Sequence, residues 1–178
     1  RSSDLEVRKR RHEYLVAAMS INNVTHAVKA SAKWLELAKK DALDLTKERD
    51  EEELQELRHS LGLAPSDTVP PAYRPDIKRL EENQKRRATR SLRDGIDRIL
   101  VDLLALYRDV LTVQLYTGAE LVNRDLEIQI REVATSTTAK NTIHIIDEIE
   151  KSRERIDRNV RDMFVLDSLA TTLKRSAN

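Results

Sequence analysis

The chain has 178 residues, with 32 Lys and Arg against 31 Asp and Glu, so a net charge of +1 leaves no global field to draw it toward nucleic acid or a membrane surface. The absence of Cys excludes disulfides, thiolate metal sites and cysteine nucleophiles. Only 3% aromatic residues, 3 Gly and 4 Pro leave little from which to build strands and tight turns.

Abundant Leu, Ala, Glu, Lys and Arg are strong helix formers, and the expected fold class is all-α: a bundle of about six helices with a long antiparallel helical hairpin. The length suits one helical domain over residues 1–178. No apolar run approaches the roughly 20 residues that span a bilayer, and the longest, Ile99 to Tyr107, is interrupted by Asp102. The opening Arg-Ser-Ser-Asp has no signal-peptide core, and no initiator Met precedes it, so a cytoplasmic piece of a longer protein is expected.

A first helix is expected from Ser3, where Ser3 and Glu6 have the spacing of a capping box, to about Met19. Asn22 or Asn23 offers the next cap. From there Val24, Val28, Ser31, Leu35, Ala38, Ala42 and Leu45 step by threes and fours, an apolar stripe with small members. The stripe lapses over 46–53 and resumes at Leu54, Leu57 and Leu61, with Gly62 as the stop. All four prolines fall in 63–75, the one clear loop.

A long helix is expected from Asp76 to Thr117, striped by Leu92, Ile96, Ile99, Leu103, Leu106, Val110 and Val113 and ended by Gly118. Gly95 inside it implies a close crossing by another helix. Asn123 is placed to cap a shorter helix with Leu126, Ile130 and Val133 inward. A turn at 136–138 leads to a helix with Ile143, Ile146, Ile149 and Ile156, and a final helix carries Val160, Phe164, Val165, Leu166, Leu169 and Leu173.

Two long helices about one proline loop predict a hairpin arm over 46–93 with 63–75 at its tip. Folding about residue 69 sets the acidic segment 48–53 opposite the basic segment 85–90, and opposed charge sets the register. Lys85, Arg86, Arg87, Arg90 and Arg93 are the candidates for phosphate contact. No aromatic residue interleaves them to stack bases, and pairing with the acidic segment accounts for them better than direct DNA contact.

Catalytic signatures are missing. There is no phosphate-binding glycine loop, no HExxH and no GxSxG, and the four histidines never fall at i, i+4 spacing. No catalytic, cofactor or metal residue is assigned, and the chain is not expected to be an enzyme. Trp34, in helical register with Val24, Ala27, Ala30 and Ala38, is expected in the core or at an interface rather than as a ligand platform.

Residues 77–111, with the core Tyr107-Arg108-Asp109-Val110-Leu111, resemble the C-terminal region of delta-prime subunits of the bacterial DNA polymerase III clamp loader, in its actinobacterial form. The Leu121-Val122-Asn123 turn, the ending from Asn159 to Leu173 and the opening 8–17 and 27–42 are similar in order and spacing. The resemblance spans nearly the whole chain and is weakest at 46–75. It implies a collar domain that joins the delta and gamma/tau subunits in a five-membered ring above ATP-driven modules that load the sliding clamp. It also implies that the family's trans-acting arginine and zinc-binding cysteines lie in a separate N-terminal module. A collar helix needs two apolar faces, and residues 96–113 read that way, so Leu103, Tyr107, Val110, Gln114, Phe164 and Leu169 are the expected subunit contacts. The alternatives are a helical nucleic-acid-binding module and a coiled-coil scaffold.

Overall fold

The computed structural model describes residues 2–175, and of Ser2 and Ser3 only the backbone; the Ser3 capping box therefore lies outside the described residues. Six helices follow one another: α1 (Ser2–Met19), α2 (Val24–Ser60), α3 (Arg74–Gln114), α4 (Glu127–Ser136), α5 (Ala139–Asp157) and α6 (Asp162–Leu173). Short 3-10 turns at Pro71–Tyr73 and Arg124–Leu126 precede α3 and α4, and among the described residues there is no strand. The protein is all-α, a helical bundle with a helical hairpin.

Local chemistry places the ends. Asn23 opens α2, its Oδ1 accepting the His26 amide at 2.8 Å, and Thr138 opens α5 by accepting the Asn141 amide at 3.2 Å. Gly62 adopts φ +72° after α2 while the Leu63 amide reaches back to the Arg58 carbonyl at 2.9 Å, a Schellman stop. Pro75 sits in the first turn of α3, where a missing N–H costs nothing.

The chain divides into two compact units. One comprises residues 1–36 and 96–178; the other is Leu37–Gly95. In the first, the core gathers about the C-terminal half of α3. Ile96, Leu100, Leu103, Leu106, Tyr107 and Val110 are buried together with Leu15 of α1, Trp34 of α2, Ile130 of α4, Ile149 of α5, and Leu166 and Leu169 of α6. Polar ties join the same helices. Arg153 of α5 holds Asp97 of α3 through two bonds of 2.7 and 3.1 Å, and the Ser31 hydroxyl of α2 donates to Asp167 of α6.

The face of α2 differs from the expected stripe. Val24 and Val28 are exposed and Ala27 and Ala30 are buried in their place, while Ser31 is buried as expected and Trp34 lies inside with them. Ala27, Ala30, Ser31 and Trp34 share one side of α2, and that side is the one turned inward. In α5 the buried isoleucines are Ile145, Ile149 and Ile156, whereas Ile143 is 48% exposed.

The second unit is an antiparallel hairpin. Two helices alone cover their seam only in part: Ala38, Ala42 and Thr46 are buried, whereas Leu54, Leu57, Leu61, Ile77, Leu80 and Leu92 are only half-buried. Leu45, expected on the apolar stripe, is exposed. Register comes from charge: Arg87 grips Asp50 at 2.8 Å and Glu53 at 2.9 and 3.0 Å, while the Gln84 amide donates to the Asp50 carbonyl at 2.8 Å. At the other end the helices close up where Gly95 meets Ala38. A Cβ on Gly95 would lie 3.3 Å from the Ala38 carbonyl oxygen, which is why this position holds glycine.

Candidate protein interface

Buried polar side chains hold the segment between α3 and α4. Asp109 lies at the edge of the apolar stripe of α3 and is only 3% exposed. A carboxylate there is tolerable only if its oxygens are hydrogen-bonded. It accepts the Val122 amide at 2.9 Å, the Asn123 amide at 2.8 Å and the Asn123 side-chain Nδ2 at 2.8 Å. Asn123, fully buried, accepts Arg11 Nη2 on its own Oδ1 at 2.6 Å. Arg11 also donates through Nε to Asp102 at 3.0 Å, and the Tyr14 hydroxyl donates to the same carboxylate. Asp102 and Asp109 on α3, Arg11 and Tyr14 on α1, and the turn at 122–123 thus form one continuous network. Asn123 does not cap a helix: its side chain closes this network, and the 3-10 turn that follows has no side-chain cap.

Anchoring at Asp109 forces α3 to stop early. The helix ends at Gln114 rather than near Thr117, because the chain must reverse to bring Val122 and Asn123 onto a carboxylate thirteen residues behind. The reversal falls on Tyr116, which takes φ +53° while the Thr117 amide bonds to the Thr112 carbonyl at 3.4 Å. Glycine is the usual occupant of such a position, and an L-residue there costs about 1–2 kcal/mol. Gly118, expected as the helix stop, is a second left-handed residue further along at φ +69°.

This held loop exposes apolar side chains: Leu115 at 56%, Tyr116 at 92% and Val122 at 74%. Beside it opens a cleft of about 420 Å³, with Val113, Tyr116, Ala119 and Leu121 on its wall and Arg124 and Arg131 at its rim. The two arginines are paired along the chain with Glu120 and Glu127, so the rim is charged but close to neutral. Exposed large apolar side chains beside charged ones, on a backbone held in place, are what a protein-binding surface offers.

The residues expected to contact neighbouring subunits fall differently. Leu103, Tyr107, Val110 and Leu169 are 0–2% exposed inside the chain's own core, which corrects their reading as subunit contacts. Most of the wide apolar face of 96–113 is covered internally because α1, α2, α4, α5 and α6 all contribute to the core around it; Val101 is 42% exposed, and Leu111 and Val113 are half-buried. Burial also pushes the Tyr107 phenol well above its ordinary pKa, so it stays neutral. Gln114 is half-buried and donates to the Ala134 and Thr137 carbonyls at 3.2 and 3.0 Å, its own Oε1 being buried without a partner. Phe164 alone of the six is well exposed, at 64%, with the Arg161 guanidinium 5.4 Å from its ring centre.

The basic candidates also divide. Arg87 is taken up by Asp50 and Glu53, and this pairing holds the Glu53 carboxyl below the usual carboxylate range. Lys85, Arg86 and Arg90 are exposed and Arg93 half-buried; none of these four pairs with the acidic segment of α2 as expected, because they point away from the seam that Arg87 occupies.

Leu115, Tyr116 and Val122 were not singled out by periodicity, since they lie beyond the stripe in a segment with no repeat. The one usable signal was Asp109, a carboxylate among buried apolar positions that requires donors from elsewhere in the chain. Among the described residues no group of three His, Cys, Asp or Glu could hold a metal ion, and no helix is long and apolar enough to cross a membrane. Comparison of the chain with protein-family models, with curated proteins and with solved structures finds no match.

Proposed function

We propose that this chain is an assembly domain of the delta-prime type, packing beside the delta and gamma/tau subunits in the collar of a cytoplasmic DNA polymerase III clamp loader. It performs no catalytic step and needs no cofactor of its own; its work is to hold neighbours that carry the ATP-driven chemistry. The observation behind the reading is the loop at 115–122, anchored on buried Asp109 and exposing Leu115, Tyr116 and Val122. The left-handed backbone at Tyr116 serves the turn onto Asp109, but the turn does not require an aromatic side chain, and a ring held 92% exposed on a fixed backbone is a preorganised anchor that lowers the ordering cost of binding a partner. The sequence resemblance over residues 77–111 and 121–123 supplies the identity of that partner, and the exposed Phe164 offers a second contact.

Tyr116→Asn tests this directly, because asparagine tolerates the left-handed backbone and leaves the fold intact. The chain is mixed with delta and gamma/tau collar domains and the complex followed by sedimentation velocity. The expected result is an assembly only weakly dependent on salt, with affinity lowered about 30-fold in the variant, the loss of one aromatic anchor worth about 2 kcal/mol. Failure of the unaltered chain to join these subunits, or a variant that assembles as well as it does, would overturn the proposal.

A further inference from the structure

The first half of α3 displays a row of cations with no counterpart in the structure. Lys78, Arg79, Lys85, Arg86, Arg90 and Arg93 make no ion pair among the described residues, and all but Arg93 are exposed. At about 100° per residue these six fall within roughly 140° of arc, on the side of the helix opposite Leu80, Gln84, Arg87 and Ser91, which face the seam. They extend along about 22 Å of helix at a rise of 1.5 Å per residue. Glu82 is the acid within this face, with Glu81 and Asp94 on its flanks, so six positive charges outnumber their near neighbours. The other helix of the hairpin is the reverse: Glu48, Glu51, Glu52 and Glu56 are exposed on α2. A chain of net charge +1 has thus separated its charges across one hairpin.

We infer that this face of α3 binds the phosphate backbone of nucleic acid. The ion pairs that cross the hairpin seam are those of Arg87, so register does not explain the other six. Four of the six are arginines, whose planar guanidinium forks match phosphate oxygens. A straight row suits an extended polyanion better than a single anionic group. Lipid is a poorer fit. A helix that lies on a membrane inserts an apolar face, and on α3 the apolar side is turned into the seam while the cationic face carries Thr89 and no large apolar residue. With no aromatic residue on the face to stack bases, contact is to backbone alone and independent of sequence.

The test is fluorescence anisotropy of the full chain with a labelled duplex of arbitrary sequence, titrated across ionic strength. Four to six phosphate contacts give a slope of about −4 to −5 in log K against log salt. Neutralising three cations, Lys85→Gln with Arg86→Gln and Arg90→Gln, is expected to reduce the slope by about 2.7 and weaken binding by more than tenfold at low salt. Arg87 is kept in that variant, so circular dichroism checks that the hairpin survives. Neutralising Glu51→Gln and Glu52→Gln on the opposite helix is expected not to weaken binding. The inference is overturned by any of four outcomes: no duplex binding at low salt, equal binding by the triple variant, preference for acidic vesicles over duplex, or cations that are instead consumed in a salt-sensitive dimer of the chain, seen by light scattering.

Discussion

Replacing Asp109 by Asn separates the buried tie from everything else, because the side chain keeps its volume and loses only its charge and one acceptor. The carboxylate now takes three N–H donors, Val122 N on Oδ1 and both Asn123 donors on Oδ2. An amide oxygen turned toward Asn123 still satisfies two of them, but its NH2 then confronts the Val122 N–H, donor against donor. Leaving that amide without an acceptor costs about 1–2 kcal/mol in a partly buried setting. The two surviving bonds fall from charge-assisted to neutral strength, about 1 kcal/mol each. The sum is about 3 kcal/mol, a large share of the 5–15 kcal/mol that holds a domain of this size. Urea unfolding followed by far-ultraviolet circular dichroism measures it, and amide hydrogen exchange locates it: Val122 should lose protection before the core of α3 does. A change below about 1 kcal/mol, with Val122 still protected, would mean that Asp109 does not hold the loop.

Two further predictions concern the hairpin. Gly95→Leu is expected to destabilise by about 1–3 kcal/mol in urea unfolding despite leucine's better helix propensity, since a Cβ there already lies 3.3 Å from the Ala38 backbone; an unchanged midpoint would sink the close-crossing account. Because the Arg87 bridge lowers the Glu53 pKa, its contribution is complete above the ordinary carboxylate value of 4.5 and is lost as pH falls through the lower folded value. Urea unfolding at pH 7 and in acid should therefore show that Arg87→Met costs stability at neutral pH and that the cost shrinks as the pH falls below the ordinary carboxylate value; a cost that does not change with pH would refute the bridge.

How far the fold could be read from the sequence depended on how local each signal was. Asn23, Thr138 and Gly62 act through bonds within a few residues, and each is where its chemistry demands. Opposed charge in the hairpin was legible for the same reason: folding about residue 69 places Asp50 within one residue of the position that Arg87 faces. The face of α2 was harder. Hydrophobicity ranks valine above alanine, yet Val24 and Val28 face solvent while Ala27 and Ala30 are buried, because the face of α2 turned inward is the one that carries Trp34. Transfer energy alone cannot see that choice.

The site was legible least, for a reason that follows from the way stripes form. An apolar stripe records what the chain buries against itself, so the better a residue fits the stripe, the less of it remains for a partner. Leu103, Leu106 and Val110 lie on the stripe and are covered completely, while Leu115, Tyr116 and Val122 lie beyond it and stay exposed. A surface for another protein is then found where the period fails and the backbone is nonetheless fixed. Tyr116 satisfies both conditions, held at φ +53° between the end of α3 and a turn bound to Asp109. Fixing such a residue costs free energy in the lone chain. A partner that covers the ring would offset it, which places the burden of explanation on the exposed tyrosine rather than on the buried leucines.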